Sequence, residues 1–235
     1  HTEAEGRFRP PAVPLVAVDP YLSLWSGTDR LTDESPRHWT GTPVAAVGIV
    51  SVDGERYQFL GRTRPLNMAR QSALHVDPLS TRYRFSAGGV ALSAGFTTPL
   101  LTDDPHLLSR PVSYMHMRAE SLDGAAHQVE VYLAIGAELC VNSPDQPVTW
   151  SRGGGRLCEW VRVGTASQDV LGRAGDDVRV DWGYLYLAAQ ADDAATSVVG
   201  FSDANVGWRV ARASSLGALV SDGAGEPASR PVRSQ

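Results

Sequence analysis

The sequence contains no lysine. All 21 of its basic residues are arginine, which excludes a Schiff-base lysine and the lysine of a phosphate-binding loop. Cysteine is nearly absent. Cys140 and Cys158 stand alone, too few for a cysteine-rich metal module or a disulfide-framework miniprotein. No run approaches the length of about twenty apolar residues that a membrane helix needs, so no membrane partner is expected. Basic charge is in deficit, with 21 arginines against 26 acidic residues and a net charge of −5, which argues against nucleic acid as a partner. The usual catalytic strings are missing as well: there is no Gly-x-Ser-x-Gly, no His-Glu-x-x-His, no Walker loop and no dinucleotide fingerprint. The chain opens on His1 and not on methionine, so removal of a leader, tag or upstream segment is expected, although no hydrophobic signal segment remains.

What is present reads as β structure. With 43% apolar residues over 235 positions, the chain has enough material for a substantial core. Residues 1–43 carry Pro10, Pro11, Pro14 and Pro20 and predict an extended arm. From Val44 the pattern alternates. Val44–Val52, Asp53-Gly54 and Glu55–Leu60 read as a hairpin with a type I′ turn, and Arg82–Ser86, Gly88-Gly89 and Val90–Phe96 as a second. Val112–Arg118 and Gln128–Ile135, joined near Asp123-Gly124, suggest a third. Further strands are expected at Cys158–Val163, Val178–Ala189, Ser197–Phe201 and around Trp208–Ala211. Helical periodicity is scarce. The expected fold is an all-β, large antiparallel sandwich over residues 44–220, supersandwich-like, with a linker-like tail over 221–235.

Several features carry bland readings. Gly153-Gly154-Gly155 suits a hairpin tip better than an anion nest. The pairs Asp103-Asp104, Asp176-Asp177 and Asp192-Asp193 suit turns, and none has the spacing of a calcium loop. His116 shares a strand face with Tyr114 and has no second ligand spaced to help it hold a metal. No metal and no organic cofactor is expected.

Two segments are richer than their surroundings require. Asp19-Pro-Tyr-Leu-Ser-Leu-Trp-Ser26 with Arg37-His-Trp-Thr-Gly41 gathers aromatic, charged and hydroxyl groups in an irregular stretch. Such a set suits a polar small molecule, or equally a contact between domains. Asp176-Asp-Val-Arg-Val-Asp-Trp-Gly-Tyr-Leu-Tyr-Leu187, read with a strand period, sets Asp181, Gly183, Leu185 and Leu187 on one face and Trp182, Tyr184 and Tyr186 on the other.

These strings resemble a known family. Pro14–Ser26, His38-Trp-Thr-Gly41, Arg110-Pro-Val-Ser-Tyr114, Val141-Asn-Ser-Pro144, Val148-Thr-Trp-Ser-Arg152 and Gly175–Ala188 are similar, in order, to the secreted glutaminase A-like family of fungi and bacteria. The resemblance implies an N-terminal β-sandwich followed by an (α/α) toroid of the six-hairpin glycosidase type. It also implies hydrolysis of L-glutamine to glutamate and ammonia, and a secreted or periplasmic location. Nothing in this sequence reads as the toroid, so the catalytic residues are expected in a separate helical half that would be the partner of this chain. A carbohydrate-binding module without activity, and a relative acting on another amide or a glycosidic bond, are the alternatives.

On this reading the arm reaches the mouth of the partner's toroid. Tyr21, Trp25 and Trp39 wall a pocket, Arg37 meets a substrate carboxylate and Asp19 an α-ammonium, with His38, Asp181 and Trp182 completing the candidate substrate-binding set. Side chains that merely glue the halves together would look the same in sequence. An extracellular setting further permits a Cys140–Cys158 disulfide across the loop between their strands, with two separate thiols as the alternative.

Overall fold

The computed structural model describes residues 9–62, 66–190 and 230–231. The strands expected at Ser197–Phe201 and Trp208–Ala211, the pair Asp192-Asp193 and most of the 221–235 tail lie outside them. In chain order the elements are β1 (Val13–Ala17), β2 (Ser23–Ser26), β3 (Ala46–Val52), β4 (Glu55–Leu60), β5 (Asn67–Met68), β6 (Arg70–Asp77), β7 (Ser80–Ala87) and β8 (Val90–Thr97). A one-turn helix α1 (Pro105–Leu108) follows, then β9 (Tyr114–Ser121), β10 (Val129–Ile135), a 3₁₀ turn (Ala137–Leu139), β11 (Pro147–Gly154), β12 (Cys158–Thr165), β13 (Leu185–Gln190) and β14 (Arg230–Pro231).

They form three four-stranded sheets, ordered β10-β3-β4-β5, β6-β7-β8-β9 and β13-β12-β11-β14, plus the β1–β2 hairpin. All pairings are antiparallel except the short β4–β5 contact. The all-β antiparallel architecture is the one the sequence predicts. The first two sheets share one core: Val50, Val52, Phe59, Val131 and Leu133 of one meet Tyr83, Phe85, Leu92 and Ala94 of the other. The rings of Phe59 and Phe85 lie 5.7 Å apart across the seam. In β7 the burial alternates, with Thr81, Tyr83, Phe85 and Ala87 inward and Arg82 and Arg84 outward, the half-buried strand signature. Fully burying each large apolar side chain contributes about 1.5–3 kcal/mol.

The first two predicted hairpins are present. Asp53 and Gly54, at φ 51° and 89°, make the type I′ turn between β3 and β4. The third expected hairpin is not one: β9 pairs with β8, whereas β10 pairs with β3 in the other sheet. The connection between β9 and β10 crosses from sheet to sheet, a step that a local turn signal at Asp123-Gly124 cannot distinguish from a hairpin. His127 pins this crossing to the β3–β4 turn, with Nδ1 2.7 Å from Asp53 and Nε2 3.0 Å from Asp123.

The proline-rich segment lies against the sheets. β1 and β2 pair with a register shift beside Pro14, where the missing N–H suits a bulge, and Val13, Leu15, Leu24 and Leu31 join the main core. The strand expected over Val178–Ala189 is shorter, starting at Leu185. Residues 176–184 form turns that fold over the end of β12, anchored where Thr165 donates its hydroxyl hydrogen to the carbonyl of Asp181. The strand-face assignment of Asp181, Gly183 and Trp182 therefore does not hold, although Leu185 and Leu187 do face the core.

The expected Cys140–Cys158 bridge is absent and both thiols are free. Cys140 is buried with its Sγ 3.5 Å from the carbonyl of Val163, while Cys158 lies five positions back along β12. At about 3.3 Å per strand residue that separation far exceeds the reach of a disulfide.

Candidate functional site

The site grows from two short turns and the segment that clamps them. In the first, Asp19 Oδ1 accepts from the backbone N–H groups of Tyr21 and Leu22 at 2.8 and 2.9 Å, an Asx turn of the kind its side chain favours. This turn presents the carbonyl of Pro20. In the second, Arg37 makes isolated backbone bridges to Trp25 and Pro43. The chain then reverses over His38–Thr42 through Gly41, whose φ of 97° suits glycine. The two turns meet at one atom: the Pro20 oxygen accepts from His38 Nε2 at 3.0 Å and from Trp39 Nε1 at 2.7 Å.

His38 is 1% exposed. A carbonyl only accepts, so its ring proton sits on Nε2. Burial, reinforced by the positive charge of Arg179, lowers its pKa, keeping the imidazole neutral. Its Nδ1 lies 2.8 Å from the Thr40 hydroxyl. Thr40 and Thr42 both reach the carboxylate of Asp177. The hydrogen bond from Thr40 is the largest influence holding the Asp177 carboxyl below its ordinary pKa, with the Arg179 charge adding to it.

Arg179 closes the node. It is 1% exposed, and its Nη1 contacts Asp177 Oδ1 at 2.7 Å and the Asp177 carbonyl at 3.1 Å. Its backbone N–H donates to Asn142 Oδ1. Asp181, 4% exposed, accepts at 3.0 Å from Gln146, whose own Oε1 receives the backbone N–H of Ser143 at 3.1 Å. Arg179 Nε and Nη2, Asp181 Oδ1 and Asn142 Nδ2 have no hydrogen-bond partner among the described residues. Unspent buried polarity of this kind is concentrated here, and it is costly wherever it stays unmade.

Above this node lie aromatic rings. Trp39 is 49% exposed and Tyr21 is exposed beside it in the fold of the two turns. Tyr21 meets Trp182 edge-on at 5.8 Å. Of the candidate residues, the structure thus brings Tyr21, His38, Trp39 and Trp182 into one cluster. Asp181 sits below it as a buried brace and Asp19 shapes the first turn. Arg37 lies at the margin, its guanidinium 3.3 Å from Glu34 and 3.1 Å from the Gly41 carbonyl, still exposed. Trp25 is half-buried, its indole N–H unpartnered among the described residues. Sequence reasoning missed Thr40, Asp177, Arg179, Asn142 and Gln146. The one available signal was Arg179, an arginine two positions ahead of Asp181 and so on the same face of a strand. No cluster of three or more His, Cys, Asp or Glu side chains suited to a metal occurs among the described residues. No helix among them is long and apolar enough to cross a membrane.

Comparison with known proteins puts this arrangement in context. Residues 1–70 match the model of a domain of unknown function, DUF4964. Residues 79–224 match that of a second, DUF5127. Over 153 residues the chain is 31% identical to "Glutaminase A" of Aspergillus oryzae, an alignment covering 62% of this chain and 22% of that relative. No solved structure matches. Because the residue 79–224 match takes in more than half of the sequence, the chain belongs to the DUF5127, glutaminase A-like family.

Proposed function

We propose that this chain is the β portion of a glutaminase-like amidohydrolase, hydrolysing L-glutamine to L-glutamate and ammonia once joined to a helical half that carries the catalytic residues. A secreted or periplasmic enzyme fits this reading. The observation that carries it is the 31% identity to Glutaminase A. It is supported by the convergence of the 19–25, 37–42 and 177–182 segments on one exposed aromatic surface. In this role Tyr21 and Trp39 wall the substrate pocket from the β side and the exposed guanidinium of Arg37 offers a carboxylate contact. His38, Asp177, Arg179 and Asp181 hold that wall in place from beneath.

A docking face for the helical half is also at hand. Adjacent antiparallel strands need only about two connecting residues, yet β8 and β9 are joined by residues 98–113, which expose Leu100, Leu101, Leu107, Leu108 and Val112. Long connections with unburied apolar groups mark contact surfaces. The base of this loop is tied close to the first turn, since Thr98 Oγ1 accepts from the Ala17 backbone at 3.2 Å.

Ammonia release by the assembled protein tests the proposal. Arg37→Ala and Trp39→Ala should raise KM or lower kcat about ten- to a hundredfold, the range of a lost charge-assisted or stacking contact, while assembly and Tm stay intact. If these variants instead dissociate or melt early with normal kinetics per intact complex, the surface is glue between the halves. Ammonia release by the isolated chain at the rate of the assembly would overturn the division of labour.

A further inference from the structure

We infer that the outer face of the β11–β12–β13 sheet binds an acidic saccharide, a pyranose chain bearing carboxylates. The face follows from register: Ser151, Arg162 and Tyr186 lie side by side across the three strands, and Gly153, Trp160 and Ala188 form the next row. The opposite face carries Leu185 and Leu187 into the core, so this row points away from it. Tyr184 is 40% and Tyr186 50% exposed.

The rings are seated by glycines. A Cβ on Gly153 would come within 2.3 Å of the Trp160 ring, and one on Gly164 within 2.7 Å of Tyr184. Each aromatic therefore lies down over a neighbouring strand where any other residue would push it up. Trp160 and Tyr186 are 5.4 Å apart, and Tyr184 and Tyr186 6.5 Å, both pairs edge-to-face. The result is a shallow aromatic corner on a sheet surface, with Tyr186 half exposed and Arg162 lying over the Tyr184 ring. Glycine cover alone would account for the seating of the rings, but not for the cation built among them.

That cation is Arg162. Its Cζ lies 4.3 Å from the Tyr184 centroid and 5.8 Å from that of Trp160. Nε donates to Ser151 at 2.8 Å and Nη1 to the Tyr186 hydroxyl at 3.2 Å. Nη2 has no partner among the described residues. The guanidinium is thus locked in plane with one donor end unspent, on a face whose register positions carry no carboxylate, since alternation sends Glu159 to the other side. Pyranose rings present a flat C–H face suited to stacking on aromatic rings, with polar substituents at their edge. A carboxylate at that edge complements Arg162. An uncharged sugar would leave the cation unanswered.

Affinity electrophoresis of the 235-residue chain through polygalacturonate, with uncharged dextran in a parallel gel, decides the matter. Retardation by polygalacturonate alone is expected, and Arg162→Gln and Tyr184→Ala should each weaken it at least tenfold at an unchanged unfolding midpoint. No retardation in polygalacturonate, equal retardation in dextran, or full retention by Tyr184→Ala (simple ion exchange) would each overturn the inference. None of these outcomes bears on ammonia release, so the inference stands or falls apart from the glutaminase reading.

Discussion

Asp177→Ala probes the node beneath the aromatic cluster. The Arg179 guanidinium is 1% exposed and the Asp177 carboxylate, at 2.7 Å, is its ion-pair partner. After truncation the cation keeps a single acceptor, the Asp177 carbonyl at 3.1 Å, because Nε and Nη2 already lack partners among the described residues. Breaking a buried pair by removing one partner typically costs about 3–5 kcal/mol. Asp177 is itself exposed, and water screening its side of the pair sets the expectation at the lower end, about 3 kcal/mol. With a urea slope of about 2–3 kcal/mol/M this lowers the denaturation midpoint by about 1–1.5 M. Glu34→Ala is the control: it breaks the Arg37–Glu34 pair at 3.3 Å, both side chains exposed, and should cost no more than about 1 kcal/mol.

The pH dependence has a definite sign. The folded-state pKa of Asp177 is depressed, so its contribution is fully present above the ordinary carboxylate value of 3.8 and is lost as pH falls through the lower folded value. The gap between wild type and Asp177→Ala should therefore be constant at neutral pH and close in strong acid. An Asp177→Ala midpoint indistinguishable from that of Glu34→Ala would refute the account of Arg179 as a buried charge held by one anion.

His127, between Asp53 and Asp123, has its pKa raised, first by the hydrogen bond to Asp53 and then by that to Asp123. Its pinning of the sheet-to-sheet crossing should be complete below pH 6.5 and fade as pH rises through the higher folded value. His127→Ala should accordingly destabilise more at pH 6 than at pH 9, and a His127 ring titration by NMR at or below the ordinary imidazole range would contradict this. The thiols differ in reactivity: Cys158 is exposed, whereas burial pushes the Cys140 thiol up to about 12. Ellman's reagent should therefore label one thiol per native chain and two in denaturant. A count of zero in denaturant under non-reducing conditions would mean the pair is bridged after all.

The β character, the first two hairpins and the scarcity of helix were legible because each rests on local chemistry: alternation, Asp-Gly or Gly-Gly turns, and the lack of a helical period. What failed was whatever depends on where a chain goes after a turn. Asp123-Gly124 is a sound turn signal, and the strands on either side are real, but whether they pair is decided by the core. Val131 and Leu133 bury beside β3, while Met115 and Met117 pack from the edge of the other sheet. The Pro-rich segment was legible in its backbone but not in its packing. Proline predicts an extended backbone, which β1 has, yet whether that strand stands free or covers a sheet depends on Val13 and Leu15 finding partners in β7 and β8.

The candidate site shows the same division more sharply. Tyr21, His38, Trp39 and Trp182 could be singled out because aromatic and charged groups crowd irregular segments, a compositional signal that survives without coordinates. Arg179 could not, because a strand period only places it on the face of Asp181, Leu185 and Leu187, and nothing local says which anion a guanidinium there would meet. Thr165 bonds the Asp181 carbonyl, residues 176–184 leave the sheet, and Arg179 is buried among them. Burying a guanidinium is unfavourable unless an anion goes with it, and Asp177 supplies one while its oxygens also take Thr40 and Thr42. The same carboxylate that neutralises Arg179 thus fixes the turn bearing Trp39, more than 130 positions away in the chain. A residue read from sequence as a turn aspartate is the link between the two halves of the site. That link was invisible because neither its cation nor its threonines have any reason, taken locally, to be near it.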